Sequence, residues 1–531
     1  MSSALHTAFF QLARRAEVNA SETLMSTFVD VGPLFTLLSS KDQQILYGRR
    51  GTGKTHALRY LGEQRAIAGD FVAYVDLRNI GSSGGIYADP TRNVKERATC
   101  LLVDTLAAVH ETLYSFCITR SKDIDLSSLL PALDRLAESI TEVRVVGTLE
   151  VEDSESNALK RSDEFQISAG ASSIGFGAKS SSGESEGTSQ RVRRAGTEQL
   201  YVNFGSTGAA FRELVTLLDG RHIWILLDEW SSIPSDLQPY LADLLRRSVF
   251  PCTGVTVKIA AIEKRTKFQI RPENGGYIGI EIGADAAADL NLDDFMVFDN
   301  DPNRATAFFS DLLFRHVRAV DSNLGIPTAD ELLRQAFTQD RSFEEFVRAS
   351  EGVPRDAMNI LSLAAQHALG GKISKDHVRK AGKIWYQRDK DTALKSKEGA
   401  EDLIHWIIDK VIGERRARAC LLLSNIADEL VESLYDSRIL HILKRGISTH
   451  DQPGVRYDAY KLDYGCYVDL ISTAKAPLGL FQAEDAEDEA SHVEVPPDDY
   501  RSIRRAILDL EDFYAKQGLP VQQRFVKTSG L

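Results

Sequence analysis

"ILYGRRGTGKTHAL", residues 45–58, decides how the rest of the chain is read. An apolar run, Ile45, Leu46 and Tyr47, leads into Gly48, Gly51 and Gly53, which are followed by Lys54, Thr55 and helix-forming residues. That is the pattern GxxxxGK[ST] in a strand–loop–helix setting. Glycines let successive backbone N–H groups turn inward on phosphate, a lysine supplies a point charge to the outer phosphates, and a threonine hydroxyl can ligate magnesium. The expectation is an ATP cradle built from Gly48, Arg49, Arg50, Gly51, Thr52, Gly53, Lys54, Thr55 and His56.

A second motif lies downstream. "RHIWILLDEW", 221–230, reads as a buried strand ending in two adjacent acids. Such a strand places Asp228 beside Thr55 to hold a magnesium ion and Glu229 to polarise an attacking water. Between the two motifs, "DFVAYVDLRN" (70–79) reads as a strand, and helical stretches follow around 93–117 and 126–140. After them come a helix over 235–250 and a strand over 254–265, with another strand expected near "DDFMVFD". This alternation predicts an α/β fold with a parallel sheet covered by helices on both faces.

Lys54 and Asp228 lie much farther apart than a minimal core of this kind requires. Strand-like pieces around a Ser/Gly-rich tract, 143–204, place an inserted β-hairpin between them. Its "GFGAKS" (175–180) is read as a flexible tip, since Lys179 does not directly follow a glycine and no helix former follows it. From about 302 the alternation stops and helices dominate to 388.

Composition bounds the rest. The chain has 531 residues, 43% of them hydrophobic, enough for two or three domains with buried cores. No apolar run in the sequence reads as a membrane span. "MSSALHTAFFQLARRAEV" reads as an amphipathic helix without the features of a signal peptide, and a cytoplasmic location is expected. Cys100, Cys117, Cys252, Cys420 and Cys466 are too scattered to suggest a disulfide framework or zinc site. A formal charge of −13 argues against a basic coat for nucleic acid and leaves room for one local basic face.

In "ASEGVPRDAMNILSLAAQHAL", 349–369, Gly352 and Pro354 punctuate a helix start, Arg355 falls on the first turn, and Ala357, Ile360, Leu361 and Ala364 form an inward face. With this segment the chain resembles the AAA+ ATPases, and within them the origin-recognition (ORC) type. "GRRGTGKT" is similar to their Walker A, "ILLDEW" to their Walker B, and "GVPRDAMNIL" to the lid helix carrying the arginine called sensor 2. "GKISKDHVRKA", 371–381, is similar to the segment that closes the lid. The resemblance covers roughly residues 25–385. It implies Lys54 and Thr55 on phosphate and magnesium, Asp228 on magnesium, Glu229 on water and Arg355 as sensor 2, with Glu229, Lys54 and Arg355 catalytic. Where the family carries a polar sensor 1, this chain reads "IAAIEKR", offering Glu263 and Lys264. Arg246, Arg247 and Arg265 are the candidates for the arginine finger that reaches a neighbour's nucleotide.

Residues 401–480 give helix, helix and two extended stretches joined by "THDQPG", and ORC-type proteins resemble this in carrying a winged helix after the lid. Arg415, Arg416, Arg418, Lys444, Arg445 and Arg456 are its candidate DNA contacts. "AEDAEDEASHVEVPPDD" (483–499) reads as an acidic linker before a final amphipathic helix, 499–517. The expected organisation is therefore a core over 1–300 with the hairpin 143–204, a helical lid over 301–388, a winged-helix-like α+β domain over 389–480, and a linker and helix over 481–531. The expected function is that of a magnesium-dependent ATPase of ORC type, a nucleotide-dependent switch associated with DNA. The alternative is a regulatory ATPase of a signalling or anti-phage defence system that acts on a protein partner without DNA. ATP with magnesium is expected to favour homo-oligomers, with the hairpin tip, Ser172 to Glu186, ordering against a neighbour or DNA.

Overall fold

The computed structural model describes residues 2–12, 20–30, 32–80, 89, 91–119, 125–140, 142–152, 161–165, 178–182, 191–272, 275–295, 301–395, 397–414, 419–424, 428–448, 454–471 and 507–517. Five short apolar segments build the central sheet: β1 (Gln44–Tyr47), β2 (Phe71–Asp76), β3 (Ile223–Asp228), β4 (Val255–Ala261) and β5 (Ala287–Asn291). Every neighbouring pair is parallel, and the order is β5–β1–β4–β3–β2. Strands buried on both faces need continuous apolar runs, and β1, β3 and β4 are buried at every position. Because all five run the same way, their carboxyl ends meet at one edge. There Asp76 and Asp228 stand side by side in register, next to the loop that leaves β1.

The fifth strand corrects the sequence expectation. It lies at Ala287–Asn291, and the short helix Leu292–Phe295 takes up the start of the expected "DDFMVFD" strand, with 296–300 outside the described residues. Pairing with β1 selects the earlier segment, where Leu290 sits opposite Leu46 and is itself fully buried.

The inserted hairpin is present. Glu142–Glu152 pairs antiparallel with Arg191–Tyr201, and Arg161–Phe165 pairs with Ala178–Ser182. Most of the expected tip, 172–177 and 183–186, lies outside the described residues.

Helix Val94–Thr119 corrects another expectation, since it is long and apolar enough to cross a membrane by length and composition. In this structure Leu101, Leu102, Leu106, Val109 and Leu113 on it pack into the core that also holds Phe71, Ala73 and Val75 of β2.

Two glycine-rich turns start the functional helices. α1 (Lys54–Ile67) follows Gly53, whose φ of 100° is a left-handed conformation suited to glycine. α2 (Pro354–Ala368) follows Gly352 at φ 74° and has proline in its first turn, where the missing N–H has no helical partner to lose. Ala357, Ile360, Leu361 and Ala364 of α2 are buried as expected, and the N-terminal helix Ser2–Gln11 packs Leu5, Ala8 and Phe9 into the same core.

Beyond the lid, strands β6 (Ala419–Leu423), β7 (Leu440–Ser448) and β8 (Arg456–Leu462) form an antiparallel sheet in the order β6–β8–β7. A helix Ala400–Ile408 precedes the sheet, and α3 (Glu429–Asp436) lies between β6 and β7. The hairpin β7–β8 is the wing of a winged-helix-like domain. The sequence expectation omitted β6, whereas both helices it expected here, Ala400–Ile408 and α3, are present, with the expected extended pair following as β7 and β8. Asp428 caps α3 by accepting from the Leu430 and Val431 N–H groups at 3.0 and 2.9 Å. Residues 415–418, which include Arg415, Arg416 and Arg418, and the linker 483–499 lie outside the described residues.

Candidate nucleotide site

The loop between β1 and α1 is shaped by its own polar groups. The Gly48 N–H donates to the Ala261 carbonyl of β4 at 3.2 Å, and the Thr52 hydroxyl donates to the Arg49 carbonyl at 2.9 Å. Lys54 is buried, and its ammonium donates to the carbonyls of Gly48 and Arg49 at 2.8 and 3.0 Å. Burial pushes this ammonium below the usual lysine range, against Glu229, Asp228 and Asp293, which favour its charge. Thr55 follows as the second residue of α1. On Gly53 a β-carbon would meet nothing within 4 Å, so that side of the cradle is open.

Asp228 ends β3 fully buried. Its two oxygens accept from the Tyr74 hydroxyl of β2 and from the Glu229 N–H, each at 2.8 Å. Burial, then the Asp228 charge, pushes the Tyr74 phenol well above its usual range, so it is a committed donor. Glu229 has φ 56° and ψ 38°, a left-handed conformation uncommon outside glycine. That turn takes its side chain out of the sheet, with Oε1 3.8 Å from Nη1 of Arg78, whose guanidinium also pairs with Asp76. The donor set of Lys54, the Thr55 hydroxyl and the Asp228 carboxylate suits magnesium-bound ATP. In that case Lys54 would hold phosphate oxygens and Thr55 and Asp228 the metal side.

The lid rests on this loop. The Arg355 N–H donates to the Gly51 carbonyl at 3.2 Å. A β-carbon on Gly51, which has φ 87°, would lie 2.8 Å from Cβ of Arg355 and 3.1 Å from Cγ1 of Val353. Arg355 therefore begins α2 beside the cradle, as the sequence reading placed it.

Other candidates have different surroundings. His56 turns its imidazole to the Leu24 carbonyl, Nε2 to O at 2.8 Å, and sets its ring edge-on to Phe28. The side chain of Arg49 leaves the cradle altogether. Its Nε donates to Asp293 at 2.7 Å, Nη1 meets Nδ1 of His441 at 2.6 Å, and its guanidinium lies 5.2 Å from the centre of the Tyr435 ring. The Arg49 N–H and the Tyr435 hydroxyl both donate to Oδ2 of Asp293, at 2.9 and 3.2 Å. Arg50 is exposed, and its carbonyl accepts from Arg438 at 3.5 Å. Arg246 and Arg247 both pair with Asp243, and Arg265 pairs with Asp436 at 2.6 Å. Glu263 pairs with Arg445 at 2.8 Å and accepts from Asn291 at 3.3 Å.

Sequence reading missed the residues that bring the C-terminal domain here: Asp293, Tyr435, Arg438, His441 and Asp463. Arg438 and Lys390 each lie 3.2 Å from the buried Asp356 of α2. Lys390 also reaches Asp463 at 2.5 Å, and Asp463 accepts from His441 at 3.0 Å. Burial favours the neutral Asp356 carboxyl, but Arg438 and Lys390 outweigh it and hold the group below its usual range. Burial, with Arg49 beside it, pushes His441 well below the usual histidine range and keeps it neutral. A buried chain of charged groups thus links the lid, the C-terminal domain and the phosphate loop. Only the acids just after β5 and the arginine before β7 could have hinted at it.

Among known proteins, residues 10–66 match the family model described as ORC-CDC6-like. No curated protein matches the chain. Among solved structures, the Aeropyrum pernix ORC1 protein in complex with DNA is 12% identical, with TM-score 0.30, over 88% of this chain and 96% of that one. Drosophila ORC bound to DNA is 10% identical, with TM-score 0.31, over 86% of this chain and 94% of that one. With a β5–β1–β4–β3–β2 parallel sheet, a GxxxxGKT loop, an acid-ended β3 and a helix seated on the loop, the chain has an α/β P-loop fold, and its residues 10–66 are similar to the ORC-CDC6-like family.

Proposed function

We propose that the chain binds and hydrolyses ATP with magnesium and works as a nucleotide-dependent switch. The observation that carries this reading is the seat of α2 on the loop, with the Arg355 N–H on the Gly51 carbonyl and no room for a side chain at Gly51. A change in the shape of the loop must therefore move the start of the lid.

Bound ATP and magnesium supply the scissile anhydride and its charge neutralisation. Lys54 lies within reach of the loop carbonyls it now contacts, and a swing of its ammonium would bring its charge to phosphate oxygens. Tyr74 and the Glu229 N–H fix the Asp228 carboxylate in one orientation. Glu229, carried out of the sheet by its left-handed turn, is the carboxylate available to take a proton from water. Arg78, with Nη1 3.8 Å from Oε1, is a cation beside that carboxylate.

The test is ATP hydrolysis and binding by the full chain. Lys54→Ala is expected to abolish tight ATP binding. Glu229→Gln is expected to keep binding and lose turnover by about a hundredfold or more. Equal hydrolysis by Glu229→Gln refutes the assignment of the base.

We extend the proposal to DNA association through the hairpin β7–β8, in keeping with the ORC-CDC6-like segment. Lys444 is exposed there, while Arg456 donates to the Gly446 carbonyl and Arg445 is engaged by Glu263. One observation favours the second reading, a protein partner. α3 carries Glu429, Glu432 and Asp436 with no basic residue, a poor match to phosphate. A salt-dependent DNA titration with and without ATP separates the two, since DNA binding through cations must weaken steeply as salt rises.

A further inference from the structure

The segment from α3 to β7 docks against the nucleotide cradle. Tyr435 meets Asp293 behind the loop, and Asp436 pairs with Arg265 at 2.6 Å. Arg438 donates to the Arg50 carbonyl, and His441 meets the side chain of Arg49. At the rim, Arg445 of β7 pairs with Glu263 just beyond β4. Five residues between Tyr435 and Arg445 therefore contact Arg49 and Arg50 of GRRGTGKT or residues that flank the loop in space.

The charge of this docked element matters most. α3 has acids at both ends and no lysine or arginine, and its last residue is Asp436. The carboxyl end of a helix also carries a partial negative charge. An acidic helix end is thus presented to the face where the loop and its flanks offer Arg50, Arg265 and Lys54. Asp436 responds to all three. Burial pushes its carboxyl up, while Arg265, Arg50, Lys397 and Lys54 draw it down. Its Oδ2 pairs with Arg265, while its Oδ1 is buried without a hydrogen-bond partner among the described residues, so the carboxylate is only partly compensated. A polyphosphate arriving at the cradle would add several negative charges beside it.

We propose that α3, anchored by Tyr435, Arg438 and His441, is a built-in competitor of the nucleotide: docked, its acidic end pairs with Arg265 and lays negative charge beside the cradle, and magnesium–ATP and the docked helix exclude one another. The proposal rests on the reading of the loop as an ATP site. The C-terminal domain then reports the state of the loop by leaving it, and the lid follows through Asp356, which shares Arg438 and Lys390 with that domain.

Linkage makes the idea measurable, because whatever weakens docking must strengthen nucleotide binding by the same factor. The experiment uses the full chain with magnesium–ATP and compares wild type, Asp436→Asn, Arg445→Ala and Lys54→Ala by calorimetry. Asp436→Asn removes the charge and keeps the shape. Arg445→Ala cuts a rim contact away from the phosphate loop. Each is expected to bind ATP about three- to tenfold more tightly than wild type. Hydrogen exchange across 429–445 in wild type is expected to accelerate when ATP is added. Unchanged or weaker ATP binding by both variants overturns the proposal, as does slower exchange in 429–445 with ATP, which would mean that docking and nucleotide cooperate. If none of the proteins binds ATP, the cradle reading fails and the competition falls with it. Loss of binding by Lys54→Ala alone keeps the cradle reading, so the competition then stands or falls on the other two variants.

Discussion

Gly51 has a left-handed backbone and lies against the first residues of α2, so it serves the loop and the lid at once. Gly53, also left-handed, faces open space. Alanine at either position meets backbone strain of about 1 kcal/mol or more. At Gly51 it must also push Val353 and Arg355 aside. Gly51→Ala is expected to destabilise the chain by about 1–3 kcal/mol more than Gly53→Ala, read as the difference in their denaturation midpoints. Equal midpoints would mean that the lid yields freely. The glycines of the loop were legible in the sequence because phosphate cradles need backbone without side chains at fixed spacing. The destination of Arg49 was not. The pattern leaves its position unconstrained, and its partner His441 is 392 residues away. Arg49 is buried, and a burial cost on its charge is outweighed by Asp293 and Tyr435, so the guanidinium stays ionised. Nothing local announces an arginine of that kind.

Elements were legible wherever one apolar pattern dominated. β1 and β3 are mostly apolar runs, β4 is apolar apart from Thr256 and Lys258, and α2 shows its buried face at helical spacing with proline at its start. β5 was misplaced because "AADLN" is short and weakly apolar, and only pairing with β1 makes it a strand. β6 was missed although "ACLLL" is wholly apolar, since it is only five residues long and its partner β8 lies far along the chain. The lid helix Pro302–Val320 was legible as a helix, yet its buried His316 was not legible as a source of pH dependence. His316 packs among Leu312, Leu313 and Val317, with Nδ1 2.9 Å from the Leu312 carbonyl. Burial pushes its imidazole down to about 4 from 6.5. Below pH 6.5 the unfolded chain takes up a proton that the folded one refuses, so the stability present above 6.5 is lost as pH falls towards 4. The loss reaches about 3 kcal/mol for this group. His316→Gln is expected to flatten the dependence of denaturation midpoint on pH between 6.5 and 4. An unchanged slope places the acid sensitivity at other histidines, such as the buried His441.

At the scale of the whole molecule, docking decides which arginines can serve a neighbour. Arg246 and Arg247 both pair with Asp243, and Arg265 pairs with Asp436 of the docked α3. Of the three candidates for an arginine finger, Arg265 is therefore the one whose release depends on α3 leaving. If magnesium–ATP displaces α3, Arg265 loses its partner in the same step that fills the site a neighbour would complete. Assembly then follows nucleotide binding without a separate signal. Buried ion pairs strengthen this coupling. Separating Arg438 and Lys390 from Asp356 leaves charges uncompensated, a cost of a few kcal/mol unless water or a new partner takes over. On the competition proposed above, the docked chain would be the resting form, and a second subunit is one means of satisfying what undocking exposes. Light scattering on Glu229→Gln, which holds ATP without turnover, is expected to give a monomer without nucleotide and a larger species with saturating magnesium–ATP. Adding Arg445→Ala should shift that transition to lower ATP concentration, because docking is weaker from the start. If Glu229→Gln stays monomeric with ATP and with DNA present, no arginine acts in trans, and the chain is a self-contained switch whose C-terminal domain is its only partner.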